Sequence, residues 1–152
     1  MFSFRPEEVR VLGCLIEKRF STPDNYPLSL NSLVNACNQS SNRDPVENYD
    51  AATVDAALKS LRAQNYALIF TGADSRVAKF KESLCERLTL SRPLASVLAE
   101  LLLRGPQTGG ELRSRCARMY EFPDLAAVEA VLEELAERDL VIQLARQPGK
   151  RE

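Results

Sequence analysis

The chain has 152 residues, 45% of them hydrophobic and 27% charged, and its 20 basic and 21 acidic side chains leave a net charge of −1. That balance gives no general pull towards phosphate backbones, and no apolar run reaches the roughly 18 residues needed to cross a bilayer. Histidine is absent, which removes the commonest general base and the usual metal ligand, and Cys14, Cys37, Cys85 and Cys116 are scattered without a Cys-x-x-Cys pair.

Neither a disulfide framework nor a zinc site is therefore expected, and no cofactor. The N-terminus, Met1 to Glu8, lacks the basic start and apolar stretch of a secretion signal, so a cytoplasmic location is expected.

In chain order, the first helix is predicted from about Pro6 to Phe20. Pro6 suits a first turn, Glu7 and Glu8 favour the positive end of the dipole, and Val9, Leu12, Leu15 and Ile16 supply the stripe. Two prolines and an Asp-Asn pair make Ser21 to Pro27 a loop. Ser29 then caps a short helix with Leu30, Leu33, Val34 and Cys37 inward. Asn38 to Tyr49 is polar and irregular. Asp50 caps a third helix with Val54, Leu58 and Leu61 inside, and Tyr66–Thr71, a turn at Gly72–Ser75 and Arg76–Lys81 form a hairpin.

The plan then repeats. Val54-Asp55-Ala56-Ala57-Leu58, Leu61 and Tyr66 to Ile69 are matched by Val128-Glu129-Ala130-Val131-Leu132, Leu135 and Leu140 to Ile142. Ser91 opens a helix that Gly105-Pro106 stops, Thr108-Gly109-Gly110-Glu111 is a capping box, and Asp124 caps the last helix. Leu140 to Ala145 is predicted as a strand. Pro148 to Glu152 is then a turn with nothing after it, so this strand has no return partner.

Three helices followed by a hairpin is the winged-helix plan, in which the second and third helices form a helix-turn-helix and the hairpin is the wing. The expected fold is mainly α with small β-hairpins (α+β). It comprises two tandem winged-helix domains, residues 1–82 and 83–152, the second truncated at its C-terminus and lacking its return wing strand. Units of this size are marginal alone, so packing together or dimerisation is expected.

The motifs Arg10-Val11-Leu12-Gly13-Cys14-Leu15-Ile16-Glu17-Lys18, Thr22 to Asn31, Ala36-Cys37-Asn38-Gln39 and Ser41 to Val46 closely resemble the YceH-like family of uncharacterised bacterial proteins. Leu102 to Gly105, Gly110 to Arg115 and Ala117 to Phe122 extend the resemblance over nearly the whole chain. The resemblance implies a tandem winged-helix fold and a natural chain continuing beyond Glu152. It supplies no catalytic residue. One departure is Ser40, where the family usually has lysine.

Catalysis is not expected, because no phosphate-binding loop occurs and the carboxylates lie on solvated helical faces. DNA association through the first domain is the leading expectation. Lys79 and Lys81 alternate on one strand face, with Arg76 near the tip and Phe80 pointing inward. Lys59, Arg62 and Arg43 would complete a modest basic patch, against the plainer reading of lysines scattered on a solvated hairpin.

The outward face of the last helix, Ala126, Glu129, Ala130, Glu133 and Glu137, would oppose a DNA groove. The second domain is therefore expected to mediate self-association, with Arg113, Arg115 and Arg118 pairing Glu129, Glu133 and Glu137 of a partner copy. The alternative is a scaffold whose winged helices bind proteins only.

Overall fold

The structure, a computed structural model, describes residues 3–71 and 76–145. Seven α-helices and three strands follow one another among the described residues. These are α1 (Pro6–Ser21), β1 (Leu28–Ser29), α2 (Leu30–Cys37), α3 (Ala51–Ala63), β2 (Ala67–Phe70), β3 (Lys79–Glu82), α4 (Leu84–Leu88), α5 (Arg92–Arg104), α6 (Gly109–Arg115) and α7 (Leu125–Glu137). A single 3-10 turn at Pro23–Asn25 occupies the first loop. The protein is α+β, mostly helical with one small antiparallel sheet.

Local chemistry sets the helix starts. Ser29 accepts from the Ser32 amide at 3.1 Å, Asp50 from Thr53 at 2.8 Å and Asp124 from Ala127 at 2.9 Å. At α6 both halves of the capping box form, Thr108 Oγ1 accepting from the Glu111 amide and Glu111 Oε1 from the Thr108 amide. Gly105, at φ +74°, ends α5 in a backbone region that side chains with a Cβ rarely adopt.

The strand order is β1-β3-β2, with Leu28 and Ile69 both opposite Phe80 and Phe70 opposite Lys79. Phe80 is buried and Lys79 exposed, as the alternation predicts. β1 and α4 were not expected. The strand predicted over Leu140–Ala145 does not form: residues 141–145 have no regular structure, and Ile142 is 82% exposed. A β-prone apolar run makes a strand only where a neighbour completes the ladder, and none lies beside this segment among the described residues. The predicted turns at 72–75 and 148–152 lie outside the described residues.

One continuous core runs through both halves, with α1 packed along α5. The close approach depends on Gly13, where an added Cβ would lie 2.9 Å from Leu103 Cδ2 and 3.2 Å from Leu102 Cβ. On its other side α1 meets α3, where the buried carboxylate of Glu8 accepts from Ser60 Oγ at 2.6 Å. All four cysteines are free and buried, packing as small hydrophobes.

Candidate functional site

The outer face of the sheet carries Leu68 and Phe70 on β2 beside Lys81 and Lys79 on β3. Lys81 Nζ stands 5.0 Å from the Phe70 ring centroid, a cation–π contact that holds one ammonium over an exposed aromatic face. Residues 77–80 border a groove shared with Leu30 and Asn31 of α2 and Asp55 of α3, so the hairpin stem lies beside both helices. Across the sheet, the Arg62 guanidinium sits 5.9 Å from the Phe80 ring.

Of the six expected basic contacts, Lys79 and Lys81 share the outer face of the sheet, while Arg62 lies across it against Phe80. Lys59, Arg76 and Lys79 are exposed, while Arg62 and Lys81 are half-buried. Lys59 also pairs with Asp55 at 3.1 Å, which partly neutralises the outward face of α3. The remaining face of that helix is alanine, at Ala52, Ala56 and Ala63, and it offers few groups able to reach a base edge.

Arg43 is not part of this surface. It is 4% exposed, and its guanidinium forks onto the Glu17 carboxylate, Nη2 to Oε1 at 2.7 Å and Nη1 to Oε2 at 3.2 Å. Its other donors reach the carbonyls of Ala36 at 3.0 Å and Asn42 at 2.9 Å. With four of its five N–H donors engaged and the side chain buried, Arg43 cannot reach a phosphate.

Arg118 must also be reassigned. It donates to Glu17 Oε2 and lies 3.8 Å from Glu100 Oε1, so its carboxylate partners lie within its own chain. Arg115 pairs with Glu111 at 3.2 Å and donates to Gln107, and Arg113 donates to the Pro123 carbonyl at 2.8 Å. Glu129, Glu133 and Glu137 remain on the exposed face of α7.

Together Glu17, Asn42, Arg43, Glu100 and Arg118 form a polar cluster between α1, α5 and the segments after α2 and α6. Asn42, held at φ +55°, donates to Glu17 Oε2 at 3.1 Å and Glu100 Oε1 at 2.7 Å, bridging the two carboxyls. The expectation that the carboxylates lie on solvated helical faces fails here, because Glu17 and Glu100 are wholly buried. Glu17 continues the helical face of Arg10, Gly13 and Cys14, all buried, and Glu100 falls within the buried run Leu94–Glu100.

The two acids respond oppositely. Burial raises the Glu17 pKa, but the hydrogen bonds and charge of Arg43, with Lys18 and Arg118, outweigh it and hold the group below the usual carboxylate range. Burial also raises Glu100. Asn42 and Arg118 do not offset this, and Glu100 Oε2 has no hydrogen-bond partner among the described residues, so its pKa stays above the ordinary value.

A carboxyl whose pKa is higher folded than unfolded contributes stability in full below the unfolded value, and loses it as pH rises through the folded one. Glu100→Gln keeps the shape without the titration. From about pH 4 upward the wild-type protein is therefore expected to lose unfolding free energy relative to this variant, which urea titrations across pH would read.

Residues 4–150 match the family described as "Protein of unknown function, DUF480". The chain is similar to a UPF0502 protein of Geotalea daltonii, with 58% identity over 147 residues covering 95% of this chain and 67% of that one. A UPF0502 protein of Pelobacter propionicus is also 58% identical, over 148 residues and the same shares. One from Opitutus terrae is 53% identical over 148 residues, covering 95% of this chain and 64% of its own. The chain thus spans about two thirds of the length of these relatives.

Proposed function

Because this chain belongs to the DUF480 family, whose description names no reaction, we propose its function from the geometry: a non-enzymatic, cytoplasmic protein of YceH-like kinship that associates with duplex DNA through its first half. The first half is read as a winged helix, with α2 and α3 as the helix-turn-helix and β2–β3 as the wing. Support comes from the helix-strand-helix-helix-strand-strand order and the β1-β3-β2 sheet. The second half, with α5, α6 and α7 in the same succession, is read as a second winged helix.

The observation that carries the reading is the pair Lys79 and Lys81, projecting from one open face of a hairpin whose stem lies beside α2 and α3. Side chains so placed grip phosphates without reading sequence, and the alanine face of α3 agrees with weak base discrimination. Self-association is assigned to the second half, where α7 presents Glu129, Glu133 and Glu137 around Ala126 and Ala130. A dimer would place these faces against basic surface on a second copy.

Four cations, Lys59, Arg76, Lys79 and Lys81, at about −0.9 per phosphate contact give an expected slope of about −3 to −4 in log affinity against log salt. A salt titration with random-sequence duplex, followed by fluorescence anisotropy, measures it. No binding at low salt would remove the DNA reading and favour the protein-only scaffold. That alternative draws on the exposed Leu68, Ile69 and Phe70 of the edge strand β2.

A further inference from the structure

A groove of about 870 Å³ runs from the outer face of the sheet towards α4, and its composition matches neither a bare phosphate contact nor a purely apolar partner. Its apolar surface comes from Phe70, Pro27 and Leu90. Its charge comes from Lys79 and Lys81, one opposite Phe70 in the strand register and the other poised over the Phe70 ring. Arg19 and Glu82 also line it but engage one another at 2.7 Å, so that pair adds little net field. An exposed aromatic ring with one ammonium over it and a second lysine opposite it in the strand register, within a concavity of ligand size, is a specific combination.

The geometry points to a binding site for a small aromatic organic anion: a flat ring that takes the place of the Lys81 ammonium over Phe70 and draws that ammonium, with Lys79, onto its one carboxylate or sulfonate. Stacking offsets the exposure of Phe70, which water otherwise covers at 43% of its surface. The anion takes the place of solvent around two like charges held close together on neighbouring positions of one strand face. Glu86 also borders the groove, which disfavours a second negative group further along and limits the ligand to one charged end. The same ammoniums serve the DNA reading, so the two ligands are expected to exclude one another. The anion test needs no DNA, and either reading can fail alone.

Anilinonaphthalene sulfonate is a suitable probe, with its fluorescence titrated against the whole chain. Saturable binding is expected, weakened by about tenfold or more in Lys79→Glu with Lys81→Glu and again in Phe70→Ser. Uncharged anilinonaphthalene should bind wild type at least about tenfold more weakly than the sulfonate, and that comparison remains decisive if a variant fails to fold. Equal affinity for the charged and uncharged probes, or folded variants that bind like wild type, would overturn the assignment.

Discussion

Arg43→Met should lower the free energy of unfolding by about 3–5 kcal/mol, the usual cost of removing one partner from a buried ion pair. The size follows from what remains. Glu17 is wholly buried, and without the Arg43 fork it keeps only Asn42, Arg118, whose side chain is 40% exposed, and Lys18 at 3.5 Å. The Ala36 carbonyl also loses its side-chain donor, keeping the long 3.5 Å contact from the Gln39 amide. Arg43→Lys should recover little, because an ammonium cannot span two carboxylate oxygens in one plane. Adding Glu17→Met to Arg43→Met should restore much of the loss, since the uncompensated charge goes with it. Urea denaturation of the three variants reads all of this. A loss under about 1 kcal/mol for Arg43→Met would mean that water reaches Glu17 and the cluster is not a sealed pair.

The second large effect concerns DNA. Reversing both Lys79 and Lys81 to glutamate should weaken duplex binding by about a hundredfold near physiological salt and make the salt slope shallower by about 2. Two phosphate contacts disappear and two repulsions replace them, next to Asp55 on the adjoining helix. Both residues sit on the open face of the sheet, so helical content by circular dichroism should hold. The Lys81 contact with Phe70 is lost as well, at about 0.5–1 kcal/mol of local stability. Anisotropy titrations that superimpose on wild type would move any DNA contact away from the hairpin.

Much of this architecture is legible from residues close together in the chain. Caps at Ser29, Asp50, Thr108 and Asp124 fix helix starts because the bonds they make span three residues, a distance that sequence reads directly. The same holds for Lys79, Phe80 and Lys81, whose alternation is a property of one strand.

What escaped the sequence depends on a distant partner. Arg43 looks like any loop arginine until Glu17 is brought against it by the packing of α1. Arg118 looks like a free helix cation until the α1–α5 contact delivers the same carboxylate. The apolar run Leu140–Ala145 suits a strand, but a ladder needs a second edge and local pattern cannot supply one. β1 is two residues long, too short for any periodicity, and is a strand only because Phe80 and Lys79 lie across from it. The buried acids did leave a trace: Glu17 extends a helical face of buried residues, and a charge in that place signals a partner waiting elsewhere.

Gly13 has a mechanical consequence. With no side chain there, Leu102 and Leu103 of α5 lie directly against the α1 backbone, and sliding or twisting one helix against the other would drive them into main chain. The pair behaves as a stiff strut, without the play of a hinge.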